Sequence, residues 1–168
     1  STFFWATTRP PLTPLFFRLM EMDVQRIVTA QLWMSILSWG ILALVTAFVV
    51  RTFWLKLPAF LFVLGFSLGQ NVIIWDSLIL GDSMSVSLLA LFIASGLLLL
   101  EKWELRRFIL LVFISVLMAF VRDTYAYLLL MAGAGLLVLL FLTKQRKRVL
   151  AASAFFIALF LAVSALST

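Results

Sequence analysis

The chain contains no cysteine and no histidine. Thiolate, imidazole and most transition-metal chemistry are therefore excluded. Carboxylates, guanidiniums and hydroxyls remain. Asp82 stands in Leu80-Gly81-Asp82-Ser83-Met84-Ser85, just ahead of a long apolar run. An acid in that place can cap the helix that follows. It can also hold a polar substrate at the edge of an apolar region, or help an acceptor hydroxyl lose its proton. Arg122 is the second singular residue, because with Asp123 it interrupts an apolar stretch running from Phe108 to Thr143. Its guanidinium can snorkel to an interface. Held below the surface, it suits a phosphate or pyrophosphate, which a planar fork grips with two hydrogen bonds. Asp76, one or two helical turns before Asp82, reads as an interfacial loop carboxylate.

These residues are separated by runs that must position them. Ser1 to Arg26 is too polar and proline-rich to span a bilayer, and Pro10, Pro11 and Pro14 break any earlier helix. After Pro14 a short amphipathic helix is expected at the interface. Apolar runs follow at Ile27–Val50, Leu57–Ile74, Met84–Leu100, Phe108–Thr143 and Val149–Ser164. As one helix, 108–143 would be about 54 Å long, far beyond a ~30 Å hydrocarbon core. It is therefore expected to be a hairpin of two short helices turning at Arg122-Asp123-Thr124, its first arm Phe108–Val121 about 21 Å long.

Composition makes lipid the expected solvent. Hydrophobic residues make up 65% of the chain, charged residues 12%, and the mean hydropathy is +1.20. Soluble domains carry about 25% charge, and a chain this size cannot bury so much apolar surface in one aqueous core. The expected fold is an all-α polytopic transmembrane bundle of about six membrane helices. Residues 1–26 form a loop end with an interfacial helix, and 27–168 form the bundle. The net charge of +6 does not indicate nucleic acid, because the basic residues sit in short inter-helix loops. Arg51/Lys56, Lys102/Arg106/Arg107 and Lys144–Arg148 fall on one side if each run crosses once, and the positive-inside rule makes that side cytoplasmic. Asp82 and Arg122 then share the extracytoplasmic face with the N-terminal stretch. Gln31, Gln70 and Asn71 read as inter-helix hydrogen-bond partners, and Ser95-Gly96 and Gly133-Ala134-Gly135 as close-packing positions.

Four segments in this order resemble the polytopic glycosyltransferases of the GT-C fold, which use polyprenyl-phosphate-linked sugars. Thr8-Arg9-Pro10-Pro11-Leu12-Thr13-Pro14-Leu15-Phe16-Phe17 is similar to the Arg-(Thr/Pro)-Pro-x-Tyr-Pro-Leu segment closing their first extracytoplasmic loop, with Thr13 replacing the aromatic. Val28–Val50 carries Gln31 where that family often has Gln. Trp75–Met84 resembles their Glu-Ser segment, with Asp82 in place of Glu. Ala119-Phe120-Val121-Arg122-Asp123-Thr124 is similar to their Arg-(Pro/Asp)-Thr segment. The resemblance implies inverting transfer of a sugar from a lipid-phosphate donor, in a bacterial plasma membrane, on the extracytoplasmic face. It makes Asp82 a second site acid and Arg122 a donor-phosphate partner, with Arg9 and Asp76 completing the substrate-binding set. It names the lipid-linked sugar donor as substrate and assigns no metal-ligating residue, and it leaves a requirement for a divalent metal open. The family's main catalytic carboxylate lies upstream of its Arg-Pro segment, and no acid precedes Arg9 here. The chain is accordingly expected to be a fragment lacking that loop. The alternative is a non-enzymatic membrane protein, either half of a transporter or a structural subunit.

Overall fold

In the computed structural model the described residues are 12–69, 81–121, 126–139 and 146–166, and among them every regular element is a helix. In chain order these are α1 (Leu12–Leu19), α2 (Val24–Val49), α3 (Phe53–Ser67), α4 (Gly81–Glu101), α5 (Leu105–Val121), α6 (Ala126–Leu139) and α7 (Arg146–Leu166).

α1 is the expected amphipathic helix. Leu12, Thr13, Phe16 and Phe17 are half-buried while Leu15, Arg18 and Leu19 are exposed, the spacing of one helical face. It starts before Pro14, not after it, because a first-turn N–H has no intrahelical partner and a proline there loses nothing. The chain then turns through Glu21 and Met22, both left-handed at φ 57° and 58°. Asp23 starts α2, accepting the backbone N–H groups of Gln25 (2.8 Å) and Arg26 (3.4 Å). This cap is why α2 begins ahead of the expected Ile27.

α2 buries a stripe of Ile27, Gln31, Ser35, Ser38, Trp39, Leu42 and Ala43. The three- and four-residue steps put them on one face, and that face meets α4. Met34 clusters with Met84 and Leu88, whereas Trp39 and Leu42 cluster with Ala90 and Ala94. Early residues meet early residues, so α2 and α4 run parallel. α3 returns along α2 and buries no residue fully. Its contact rests on Val63 and on Phe66, whose ring lies 5.5 Å from that of Trp39. Since Trp39 lies near the middle of α2, α3 covers only the later part of it. Pro58 inside α3 removes one helical hydrogen bond.

Two helical stretches, Val24–Val49 and Ser83–Glu101, are long and apolar enough to cross a membrane. Among the described residues, these are the two of the six expected membrane helices that meet that requirement by themselves. The apolar helix Phe53–Ser67 and the stretch Val149–Ala162 are shorter, below the roughly 20 residues of a span.

The expected hairpin between 108 and 143 is where the structure departs most from the sequence reading. α5 does end at Val121, one residue before Arg122. It begins at Leu105, however, and its 17 residues make about 25 Å of helix, longer than the expected arm. Its extensive packing is on α4, and that of α6 is on α7, with only slight contact between α5 and α6. The α4–α5 link is short, and Arg107 staples it by donating to the Leu98 carbonyl at 2.5 Å. That carbonyl also accepts the Lys102 backbone N–H at 3.2 Å, so the guanidinium is a second donor at the end of α4. The α6–α7 pair is held by Gly133, whose missing side chain admits Ile157 and the Ser153 backbone. There Ser153 Oγ donates to the Gly133 carbonyl at 2.7 Å. α7 also begins earlier than expected, so Arg146, Lys147 and Arg148 are helical rather than loop residues.

A Cβ at Gly133 would sit 3.0 Å from Ile157 Cγ1 and 3.3 Å from the Ser153 carbonyl oxygen, whereas one at Gly135 meets nothing within 4 Å. Gly133→Val should destabilise the protein by about 1–3 kcal/mol through overpacking. Gly135→Ala should be neutral or stabilising by up to about 1 kcal/mol. Unfolding of the two variants side by side in detergent checks the contrast, and equal effects would contradict the α6–α7 geometry.

Candidate functional site

The helix directions gather the sequence-predicted segments at one end of the bundle. α1 packs Leu12 and Phe16 against an apolar cluster of Met84, Leu88, Ile114, Met118 and Val121. Thr13 Oγ1 donates to the Val121 carbonyl at 3.4 Å, a long bond, but one that serves a carbonyl at the open end of α5. The start of α4, the end of α5 and α1 thus adjoin although 108 residues separate Thr13 from Val121.

Asp82 belongs to the first described turn of α4, which is already helical at Gly81. The expected cap immediately ahead of Met84 is therefore replaced by a place inside the helix. Arg122 follows the last residue of α5 and lies outside the described residues, as do Arg9, Asp76, Gln70 and Asn71.

Towards this same end α2 and α4 carry a set of buried polar side chains that sequence reasoning largely missed. Gln31, Ser35 and Ser38 come from α2, and Ser83, Ser85 and Ser87 from α4, all of them buried. Ser83 and Ser87 share one face of α4, whereas Ser85 is on another. All three are at 0% exposure, so the first turns of α4 are enclosed from more than one side. Ser87 Oγ and Trp39 Nε1 are buried without a hydrogen-bond partner among the described residues. Further along, hydroxyls are spent on their own helices: Ser95 on Phe92, Ser115 on Leu111 and Thr46 on Leu42. The signal for this set was legible in the steps 31, 35, 38 and in the alternate serines 83, 85 and 87.

The opposite end is ionic. Lys102 pairs with Glu104 at 2.6 Å, and Arg107 pairs with Glu101 at 3.0 Å and with Glu104 at 3.6 Å. Hydrogen bonding and charge from Lys102, then the charges of Arg107 and Arg106, hold the Glu104 carboxyl below its ordinary value. Among the described residues no group of three or more acidic, histidine or cysteine side chains could hold a metal ion.

Comparisons with protein-family models, with curated proteins and with solved structures find no match for this chain.

A carboxyl whose folded-state pKa is lowered contributes stability that is present above its unfolded value, about 4.3 for glutamate. That contribution is lost as the pH falls through the folded value. Glu104→Gln should therefore lower stability slightly at neutral pH and flatten the loss on acidification. Thermal unfolding of both proteins in detergent between neutral and acidic pH tests this. An unchanged acid limb would remove Glu104 from the account.

Proposed function

We propose that this chain is the membrane-embedded part of a polytopic glycosyltransferase of GT-C type. On this reading it moves a sugar from a polyprenyl-phosphate donor to an acceptor hydroxyl at the end of the bundle formed by α1, the start of α4 and the end of α5. The observation that supports the reading is the packing of α1 on the cluster that includes Met84 and Val121, with Thr13 bonded to the Val121 carbonyl. It brings the described parts of three segments that resemble that family side by side, although they are far apart in sequence. Membrane embedding is supported by the apolar side chains left outward, among them Trp33, Leu37, Phe53, Trp54 and Phe62. So much outward apolar surface belongs against lipid. On this reading α2, α4 and α7 cross the bilayer, and the shorter α3, α5 and α6 complete six membrane helices.

In the reaction, the acceptor oxygen bonds to the anomeric carbon and the bond from that carbon to the phosphate oxygen breaks. The polyprenyl phosphate leaves with the bonding pair, and the acceptor proton passes to a carboxylate. Asp82 is proposed as an acid of that site and Arg122 as the cation on the donor phosphate, with Arg9 and Asp76 shaping the substrate end. Asp82→Asn should lower transfer about 10²-fold at unchanged expression, the usual scale of a lost proton acceptor. Arg122→Gln should weaken donor binding, and Arg122→Lys should restore it only in part because an ammonium cannot form the bidentate grip. Transfer assays on membranes containing the full-length protein and a polyprenyl-phosphate sugar measure both. Near-normal activity of all three variants would sink the assignment.

The orientation is proposed from charge. Arg51, Lys102, Arg106, Arg107 and the start of α7 lie at one end, and the positive-inside rule turns that end to the cytoplasm. Ser83, an obvious loop reporter by sequence, is buried and unsuitable for labelling. Met22 and Leu105 are exposed, one at each end, and the chain has no native cysteine. In intact cells an impermeant thiol reagent should label Met22→Cys and spare Leu105→Cys. The reverse pattern would overturn the extracytoplasmic site.

A further inference from the structure

The start of α3 and the turn before it make the longest exposed run among the described residues, unbroken from Arg51 to Pro58. Trp54 at 82% and Phe53 at 77% are the most exposed of the large apolar side chains described. Their rings meet edge to face at 6.0 Å. Further along α3, Leu57, Leu61 and Phe62 are exposed too, and no charge follows Lys56 within the helix. One helix thus runs from a segment where cations and rings alternate into a surface without charge. The same order is met on passing from the headgroups of a leaflet into its hydrocarbon, where tryptophan and long cations gather at the boundary.

Arg51 and Lys56 have no counter-charge nearby. No acid stands between Asp23 and Asp76 in the sequence, and Asp23 pairs with Arg26 at the opposite end of α2. α2 and α4 run parallel, so the acids after α4 are at the level of Arg51. They are engaged already: Glu101 by Arg107, and Glu104 by Lys102 and Arg107. Neither Arg51 nor Lys56 joins an ion pair among the described residues. Arg106, at the start of α5, is likewise exposed and outside those pairs. Trp103, half-buried and stacked on Phe108 at 6.1 Å, follows the end of α4. Tryptophan and uncompensated cations therefore recur together at this end of the bundle.

Whatever covers the start of α3 must be anionic beside Arg51 and Lys56 and apolar beside Trp54, Leu57 and Phe62. A nucleic acid or an acidic soluble protein supplies the charge but sets polar groups against the apolar side chains. A phospholipid supplies both. The choline of phosphatidylcholine neutralises its own phosphate, so uncompensated cations favour a headgroup of net negative charge, by about fivefold for each cation near the surface. We propose that this chain binds anionic phospholipid at the start of α3, with the phosphate held by Arg51 and Lys56, Trp54 at the headgroup boundary and an acyl chain along the outer surface of the helix. The proposal rests on the membrane embedding argued above, but not on glycosyl transfer.

The test reconstitutes the full chain in phosphatidylcholine bilayers holding a minor fraction of phosphatidylglycerol whose acyl chains are brominated close to the headgroup. A parallel sample holds phosphatidylcholine brominated in the same way. Bromine quenches nearby indoles, and the difference between the wild type and Trp54→Phe isolates the Trp54 signal. The expected result is quenching of Trp54 by both lipids, with a several-fold preference for phosphatidylglycerol at equal content. Arg51→Gln combined with Lys56→Gln should bring the two lipids level, whereas Arg51→Lys combined with Lys56→Arg should keep the preference. Both positions are exposed, so these changes leave the packing of the bundle in place. Equal quenching by the two lipids in the wild type, or a preference that survives in the Gln variant, would overturn the headgroup site while leaving membrane embedding intact. Absence of Trp54 quenching by either lipid would overturn the embedding of α3 and the lipid site together.

Discussion

The packing of α4 between α2 and α5 is the constraint on which the rest of the bundle depends. α4 meets both neighbours along much of its length. Ala90 and Ala94 are almost fully buried against Trp39 and Leu42, and such small side chains let two helices approach closely. On the other side, Met84 and Leu88 interlock with Ile114, Met118 and Val121. Every other described helix is placed by reference to this trio. α3 leans on α2, α1 rests on the end of α5, and α7 reaches the trio through Leu99 and Leu111. Where lipid replaces water there is little hydrophobic drive between helices, so close fit and hydrogen bonds carry more of the association.

Polar groups take different forms in the interior and at the helix ends. Near the α1 end, amides and hydroxyls are buried on α2 and α4, while Arg26 pairs with Glu21 and Asp23 at the surface. At the other end the polar groups are ion pairs at the surface of the α4–α5 link. The division follows from what each place can tolerate. A serine hydroxyl in an apolar interface can be served by its own helix or a neighbour, while a charge there needs a partner and its remaining hydrogen bonds. Glu101, Lys102, Glu104 and Arg107 satisfy one another at the helix ends, where water also reaches them.

A groove between the α4–α5 and α6–α7 pairs is a by-product of pairing. Because Arg107 binds α5 to α4 and Gly133 lets α7 close on α6, the two pairs each pack more tightly than they pack on one another. The remaining gap is lined by residues that are small or apolar. The same arrangement keeps the end of α5 against α1.

Composition and apolar run length alone determined the all-helical class and the approximate helix positions, because run length and flanking charge are local properties of the chain. The amphipathic face of α1, the end of α5 at Val121 and the clustering of basic residues near helix ends were legible for the same reason. Partner choice was not. Phe108–Thr143 looks like a hairpin because its interruption at Arg122-Asp123 is the nearest break, but pairing is settled by side-chain fit between helices. Arg107 reaching Leu98, and Gly133 meeting Ser153, are contacts that spacing cannot reveal. The buried set of Gln31, Ser35, Ser38, Ser83, Ser85 and Ser87 was half legible. The steps 31, 35 and 38 are a helical period in the sequence, whereas 83, 85 and 87 alternate over more than one face of α4, and only the packing of the helices decided that all six are buried.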